Sequence, residues 1–156
     1  LEGYATWTSP IRKYSDMVNH RLIKAVLTQQ ACEKPQDEVL ARLQEARRQN
    51  RLVERDIADW LYCRYLADKV AENAEFDAEV QDVMRGGLRV QLLENGASMF
   101  VPASTLHPNK DEMQVNADEL ALYIQGERRY KIGDLVKVKL TEVREETRSI
   151  IGQLII

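Results

Sequence analysis

The sequence predicts an α+β chain: two helices, the second long, followed by a five-stranded antiparallel barrel of the OB-fold type. Two observations predict it. From about residue 10 to residue 71, apolar side chains recur at alternating steps of three and four, the period of a helix with one buried face. After Asn73 the period drops to two, and Gly86-Gly87, Asn95-Gly96 and Gly133-Asp134 punctuate short alternating segments. The boundary places residues 1–73 in a helical part and 74–156 in the barrel. With 44% hydrophobic and 30% charged residues, the composition is ordinary for a globular chain.

The first helix is expected from Pro10 to about Leu27. Ser9 is a good N-cap, and Pro10 suits the first helical position because its missing N–H would go unpaired there anyway. Ile11, Tyr14, Val18, Leu22 and Val26 form one face, with Arg12, Asp16, Asn19 and Ile23 on another. Ala31 to Gln36 reads as a loop containing Pro35. The second helix is expected from Asp37 to Ala71, with Leu43, Ala46, Asn50, Val53, Ile57, Trp60 and Arg64 along one stripe and no Gly or Pro to interrupt it. It would span roughly 50 Å. A helix so long needs partners along its length, because isolated helices are marginal in water. The chain offers few, and it begins without Met, so further polypeptide is expected beyond it.

Phe76, Ala78 and Val80 alternate with Asp77, Glu79 and Gln81 in a first strand. Leu88–Leu93 continues after the Gly86-Gly87 turn, Asn95-Gly96 signals a hairpin, and Ser98–Pro102 is a third strand. Residues 103–119 are polar and read as a loop with a short helical turn, followed by a candidate strand at Leu120–Gln125. Leu135–Val143 and Arg148–Ile155 complete the series. Short strands with Gly turns and one long connection suit a small Greek-key barrel.

The charge distribution narrows the functional classes. The net charge is −3, with 12 basic against 11 acidic residues over 1–74 and 10 against 14 over 75–156. Any nucleic-acid surface must then be a local patch and not a whole-domain field. Cys32, Cys63, His20 and His107 are scattered and lack zinc-site spacing, and two lone cysteines fit a reducing cytoplasm. No apolar run approaches the roughly 20 residues of a membrane span, and no basic leader precedes the first helix.

The chemically suggestive feature is the charge at the first helix start. Arg12 falls at the expected third helical position, where a capping box would place Glu or Gln, and Lys13 follows it. Exposed cations there cost about 0.3–1 kcal/mol each against the helix dipole. A bound anion would reverse that sign. A phosphate site and an ordinary helix whose two cations point into water both fit this spacing. Arg47, Arg51 and Arg55 share another helical face, which fits either a phosphate-tracking stripe or a solvated face tied to Glu45 and Glu54.

Thr8-Ser9-Pro10-Ile11-Arg12-Lys13-Tyr14-Ser15-Asp16 followed by His20-Arg21 resembles the last signature of the catalytic (RNB) domain of the ribonuclease II/ribonuclease R exoribonuclease family. Asn50–Trp60 resembles that family too, and 75–156 is similar to its S1-type RNA-binding domain. The resemblance implies the C-terminal piece of such an enzyme, with 1–73 ending the catalytic domain and 74–156 forming the S1 barrel. The lack of a lysine-rich tail after Ile155-Ile156 points to the ribonuclease II branch. Such enzymes hydrolyse single-stranded RNA processively from the 3′ end to nucleoside 5′-monophosphates, in the cytoplasm, with Mg²⁺ held by an aspartate cluster. That cluster lies outside this chain, so the piece is expected to bind no metal and to be inactive alone.

By motif position, Arg12 corresponds to the family's catalytic arginine and Glu54 to a glutamate near the active site, with an ion pair to Arg51 as the structural alternative. Lys13 is a candidate backbone-phosphate contact. The barrel departs from the usual S1 pattern, with Arg89 where an aromatic is expected and Pro102 near a usual histidine. Its RNA face is therefore expected to rely on Arg85, Arg89, Arg144 and Arg148, with Phe100 either stacking on a base or packed in the core. The implied partner is single-stranded RNA, with no membrane and a monomeric state. The other reading is a free-standing single-stranded RNA-binding module with a helical extension, and a third is a scaffold that uses the long helix to bind proteins.

Overall fold

The chain enters its first helix four residues later than Ser9-Pro10 suggests. In the structure, a computed structural model that describes residues 5–32 and 34–155, helix α1 runs Tyr14–Leu27. The Ser9 carbonyl accepts from Arg12 N (3.3 Å) and Lys13 N (3.0 Å), which closes a separate turn over Pro10–Arg12. Lys13 then extends (φ −120°, ψ 111°) and is the N-cap residue, with no side-chain cap. Arg12 is thus not the third residue of a helix, and its amide is not a free donor. At the other end Gln29 takes a left-handed φ of 52°, and Gln30 N bonds Ala25 O (2.9 Å), a Schellman ending built without glycine. Only Asp16 and Ala25 are buried on α1, so the face carrying Tyr14 and Val26 is exposed in this chain.

Helix α2 runs Asp37–Ala67, 31 residues, and tightens into a 3-10 turn at Asp68–Val70. Asp37 and Glu38 in its first turn suit the positive end of the helix dipole. The expected stripe stays exposed at Val53 (55%), Ile57 (52%) and Trp60 (40%). The residues that anchor the helix are instead Cys63 and Leu66, fully buried in the barrel's core cluster, with Tyr62 beside them. Tyr62 Oη donates to the Asn95 carbonyl (2.9 Å) at the tip of a barrel hairpin. Contacts divide the chain into two units, residues 1–53 and 54–156.

The second unit is a closed barrel in the order β1-β2-β3-β8-β7, from β1 (Glu75–Met84), β2 (Gly87–Leu92), β3 (Ser98–Pro102), β7 (Leu135–Arg144) and β8 (Ser149–Leu154). Neighbours are antiparallel except β3 and β8, which run parallel with Phe100 opposite Ile151. This is the expected five-stranded OB-type barrel with one parallel pair, and the reason for that pair is parity. Antiparallel neighbours alternate in direction, and a ring of five cannot alternate all the way round. Alternate residues fill the interior: Phe76, Ala78 and Val80 from β1, Met99 and Val101 from β3, Val138 and Leu140 from β7. Gly87 is required where β2 begins: its φ is +142°, and a Cβ there would lie 2.0 Å from the Val101 carbonyl oxygen.

The long connection is more ordered than its polarity suggests. After a short helix α3 (Ala103–Leu106), β4 (Met113–Asn116), β5 (Ala121–Ile124) and β6 (Glu127–Lys131) form a separate three-stranded antiparallel sheet. Only β5 alternates little and buries much: Ala121, Leu122 and Ile124 are all buried. Strands β4 and β6 are held by backbone pairing to β5.

Candidate nucleic-acid interface

Arg12 is exposed, and among the described residues its guanidinium has no ion-pair partner. Its backbone is fixed by the segment before α1. Asp16, fully buried, accepts from Thr6 Oγ1 (2.6 Å), Ser9 N (3.0 Å) and Ser15 Oγ (3.3 Å). Asn19 Nδ2 donates to the Thr6 carbonyl (2.7 Å), and His20 Nε2 lies 2.7 Å from the Trp7 carbonyl. One face of α1 therefore straps down residues 6–9, and the Ser9 carbonyl passes that order to the Arg12 turn. The Asp16 carboxyl is held below the usual range, first by the Thr6 hydroxyl and then, against the opposing cost of burial, by the Ser9 amide and nearby Lys13. Sequence reasoning missed Asp16 as an organiser. The available signal was Asp16, Asn19 and His20 at i, i+3 and i+4, a polar face on the helix that directly follows Thr6–Ser9.

On the barrel, Arg89 and Phe100 are cross-strand neighbours on the outer surface of β2 and β3. Phe100 is half-buried with its ring beside Gly86, where an added Cβ would stand 3.7 Å from the ring's Cζ. It is not part of the interior cluster. Arg85 is exposed in the β1–β2 turn, and neither Arg85 nor Arg89 has an ion pair among the described residues.

Arg144 and Arg148 are exposed but engaged. Arg144 grips Glu142 through Nε (2.6 Å) and a terminal nitrogen (2.9 Å), and this pair depresses the Glu142 carboxyl's affinity for protons. Arg148 Nη1 reaches Asp56 on α2 (3.0 Å). Both pairs are solvent-exposed, the kind worth about 0–1 kcal/mol, so an incoming phosphate can compete for the arginines.

Lys13 and Glu54 are exposed, and neither has an ion pair among the described residues. Arg47, Arg51 and Arg55 likewise have no ion pair among the described residues, and Glu45 bonds Arg48 (2.9 Å). No group of three His, Cys, Asp or Glu among the described residues converges as a metal site, and no helix there is long and apolar enough to cross a membrane.

A family model described as the S1 RNA binding domain matches residues 69–154, more than half of the chain. The chain belongs to the S1 RNA binding domain family. A second model, the RNB domain, matches residues 1–29, which contain the Arg12 turn and its strap. Exoribonuclease 2 of Haemophilus influenzae strain 86-028NP is 84% identical over 155 residues, covering 99% of this chain and 24% of that protein. Exoribonuclease 2 of Pasteurella multocida strain Pm70 is 74% identical over 154 residues, covering 99% of this chain and 23% of that protein. The S1 chain thus spans about a quarter of the length of these relatives.

Two solved structures share the fold over 97% of this chain and 24% of theirs, at 23% identity. They are Mycoplasma genitalium RNase R in its apo form (TM-score 0.73) and in complex with ribose methylated single-stranded RNA (TM-score 0.76).

Proposed function

We propose that this S1-family chain is the segment of a 3′-to-5′ exoribonuclease that supplies a phosphate-gripping arginine and an RNA-binding barrel. The parent enzyme releases nucleoside 5′-monophosphates processively from single-stranded RNA, as a cytoplasmic monomer. Residues 1–73 end its catalytic domain and 74–156 are its S1 domain. The observation that carries this reading is Arg12, a guanidinium with no ion pair among the described residues, on a turn pinned by a buried carboxylate within the stretch matched by the RNB model. Phosphodiester hydrolysis places growing charge on non-bridging oxygens, and a preorganised cationic fork stabilises it. A guanidinium bonds two such oxygens at fixed geometry, which an ammonium does not.

The Mg²⁺ of the parent enzyme belongs, in this reading, to an aspartate cluster outside this chain. What this chain does is hold RNA and orient its phosphates. Lys13 adds a backbone-phosphate contact and Glu54 acts near the scissile end. On the barrel, Arg85 and Arg89 hold phosphates directly, Phe100 stacks on a base, and Arg144 and Arg148 join by exchanging Glu142 and Asp56 for RNA. The chain by itself binds RNA without hydrolysing it.

The test is Arg12→Lys in the full-length protein. Turnover of a poly-A oligonucleotide should fall about a hundredfold, the scale of losing one transition-state donor, with RNA affinity within about twofold. Intact turnover, or lost affinity with intact turnover, overturns the role given to Arg12.

A further inference from the structure

We infer that Asp16 is the positioning residue for Arg12: it sets the place of the guanidinium through the Ser9 turn without touching RNA. The inference rests on the reading of Arg12 as the phosphate-gripping group. The bond chain is continuous. The Asp16 carboxylate takes the Ser9 N–H (3.0 Å), and the Ser9 carbonyl takes the N–H groups of Arg12 (3.3 Å) and Lys13 (3.0 Å). One residue thereby faces both ways, with its amide tied to α1 and its carbonyl tied to the turn that carries the two cations.

The same carboxylate binds the Thr6 hydroxyl (2.6 Å), so the strap is held on both sides of Trp7 and Thr8. Without the carboxylate, a turn ending in the exposed residues Ile11, Arg12 and Lys13 keeps few apolar contacts to hold it. A mobile turn leaves the charge of Arg12 in place but loses its fixed geometry. A bidentate grip on a reacting phosphate depends on that geometry, whereas loose electrostatic binding of RNA does not.

A purely structural Asp16 and a positioning Asp16 differ in a double-mutant cycle in the full-length protein. Asp16→Asn keeps the side-chain shape but cannot accept at both oxygens. It should lower kcat about ten- to a hundredfold with KM moved less than about threefold. In an Arg12→Ala background it should change kcat by less than about twofold, because the group it positions is already gone.

Equal losses in both backgrounds, or no loss in either, overturn the inference while leaving Arg12's role intact. Normal turnover by Arg12→Ala alone overturns the underlying reading, and this inference with it. If the Asp16→Asn protein melts below the assay temperature, Thr6→Val takes its place in the cycle. It removes the shortest bond to the carboxylate and is held to the same criteria.

Discussion

Phe100 sits on the outer surface of β3 because its neighbours in the pleat, Met99 and Val101, fill the barrel. The alternation Met99-Phe100-Val101 is apolar throughout, so the sequence could not say which parity faces inward. Pairing with β2 decides it, since Arg89, opposite Phe100, is exposed. A half-buried aromatic beside Gly86 and next to an unpaired arginine offers a ring face that the core does not need. Phe100→Ala should therefore weaken binding of an oligo-A probe by about 1–3 kcal/mol, the usual worth of one stacked base. Its melting temperature should drop far less than that of a change at fully buried Val101. An affinity equal to the parent chain's, in a fluorescence titration at fixed salt, would exclude stacking at this position.

The elements show where hydrophobic pattern informs and where it does not. β3 could be read at its bounds because a short apolar run lies between the Asn95-Gly96 turn signal and Pro102. β4 and β6 could not, because each sends only one apolar side chain, Met113 or Tyr130, against the core, and pairing with β5 sets the rest of the strand. The start of α1 was misread for a related reason. Ser9 and Pro10 do initiate a turn, but the Asp16 carboxylate takes the Ser9 amide and Lys13 extends before the helix begins.

On α2, periodicity located the helix, yet its anchor is Cys63 and Leu66 and not the longer stripe through Val53 and Trp60. Asp56, on the same helix, holds Arg148 from the β7–β8 turn (3.0 Å). Asp56→Asn should release that arginine and raise RNA affinity about threefold, within the range of an exposed ion pair. It should cost less than about 1 kcal/mol of stability in a urea titration. The gain should vanish in an Arg148→Ala background. A gain that persists there would mean that Arg148 is not an RNA contact.

For the whole molecule, binding RNA with a net charge of −3 requires local cations to act against an unfavourable overall field. Salt dependence then counts them. Each phosphate neutralised on a single strand contributes about −0.7 to the slope of log affinity against log salt. Arg85 and Arg89 alone give a slope of about −1.4, roughly a sevenfold loss for a fourfold rise in salt. Adding Arg144 and Arg148 brings it to about −2.8, roughly a fiftyfold loss.

The steeper value is expected for this chain in an Arg12→Ala/Lys13→Ala background, where only the barrel's cations remain, because the acids that hold the second pair are exposed and their hold is weak. There the Arg85→Ala/Arg89→Ala double variant should lose about half of the slope, with the loss the same on poly-A and poly-U since phosphates carry no sequence. A slope near zero would leave only stacking to hold RNA and remove the backbone-gripping role given to the arginines. A slope of −1.4 that falls to zero in the double variant would instead confine the contact to the β1–β2 hairpin, leaving Arg144 and Arg148 tied to their carboxylates in the complex as they are without RNA.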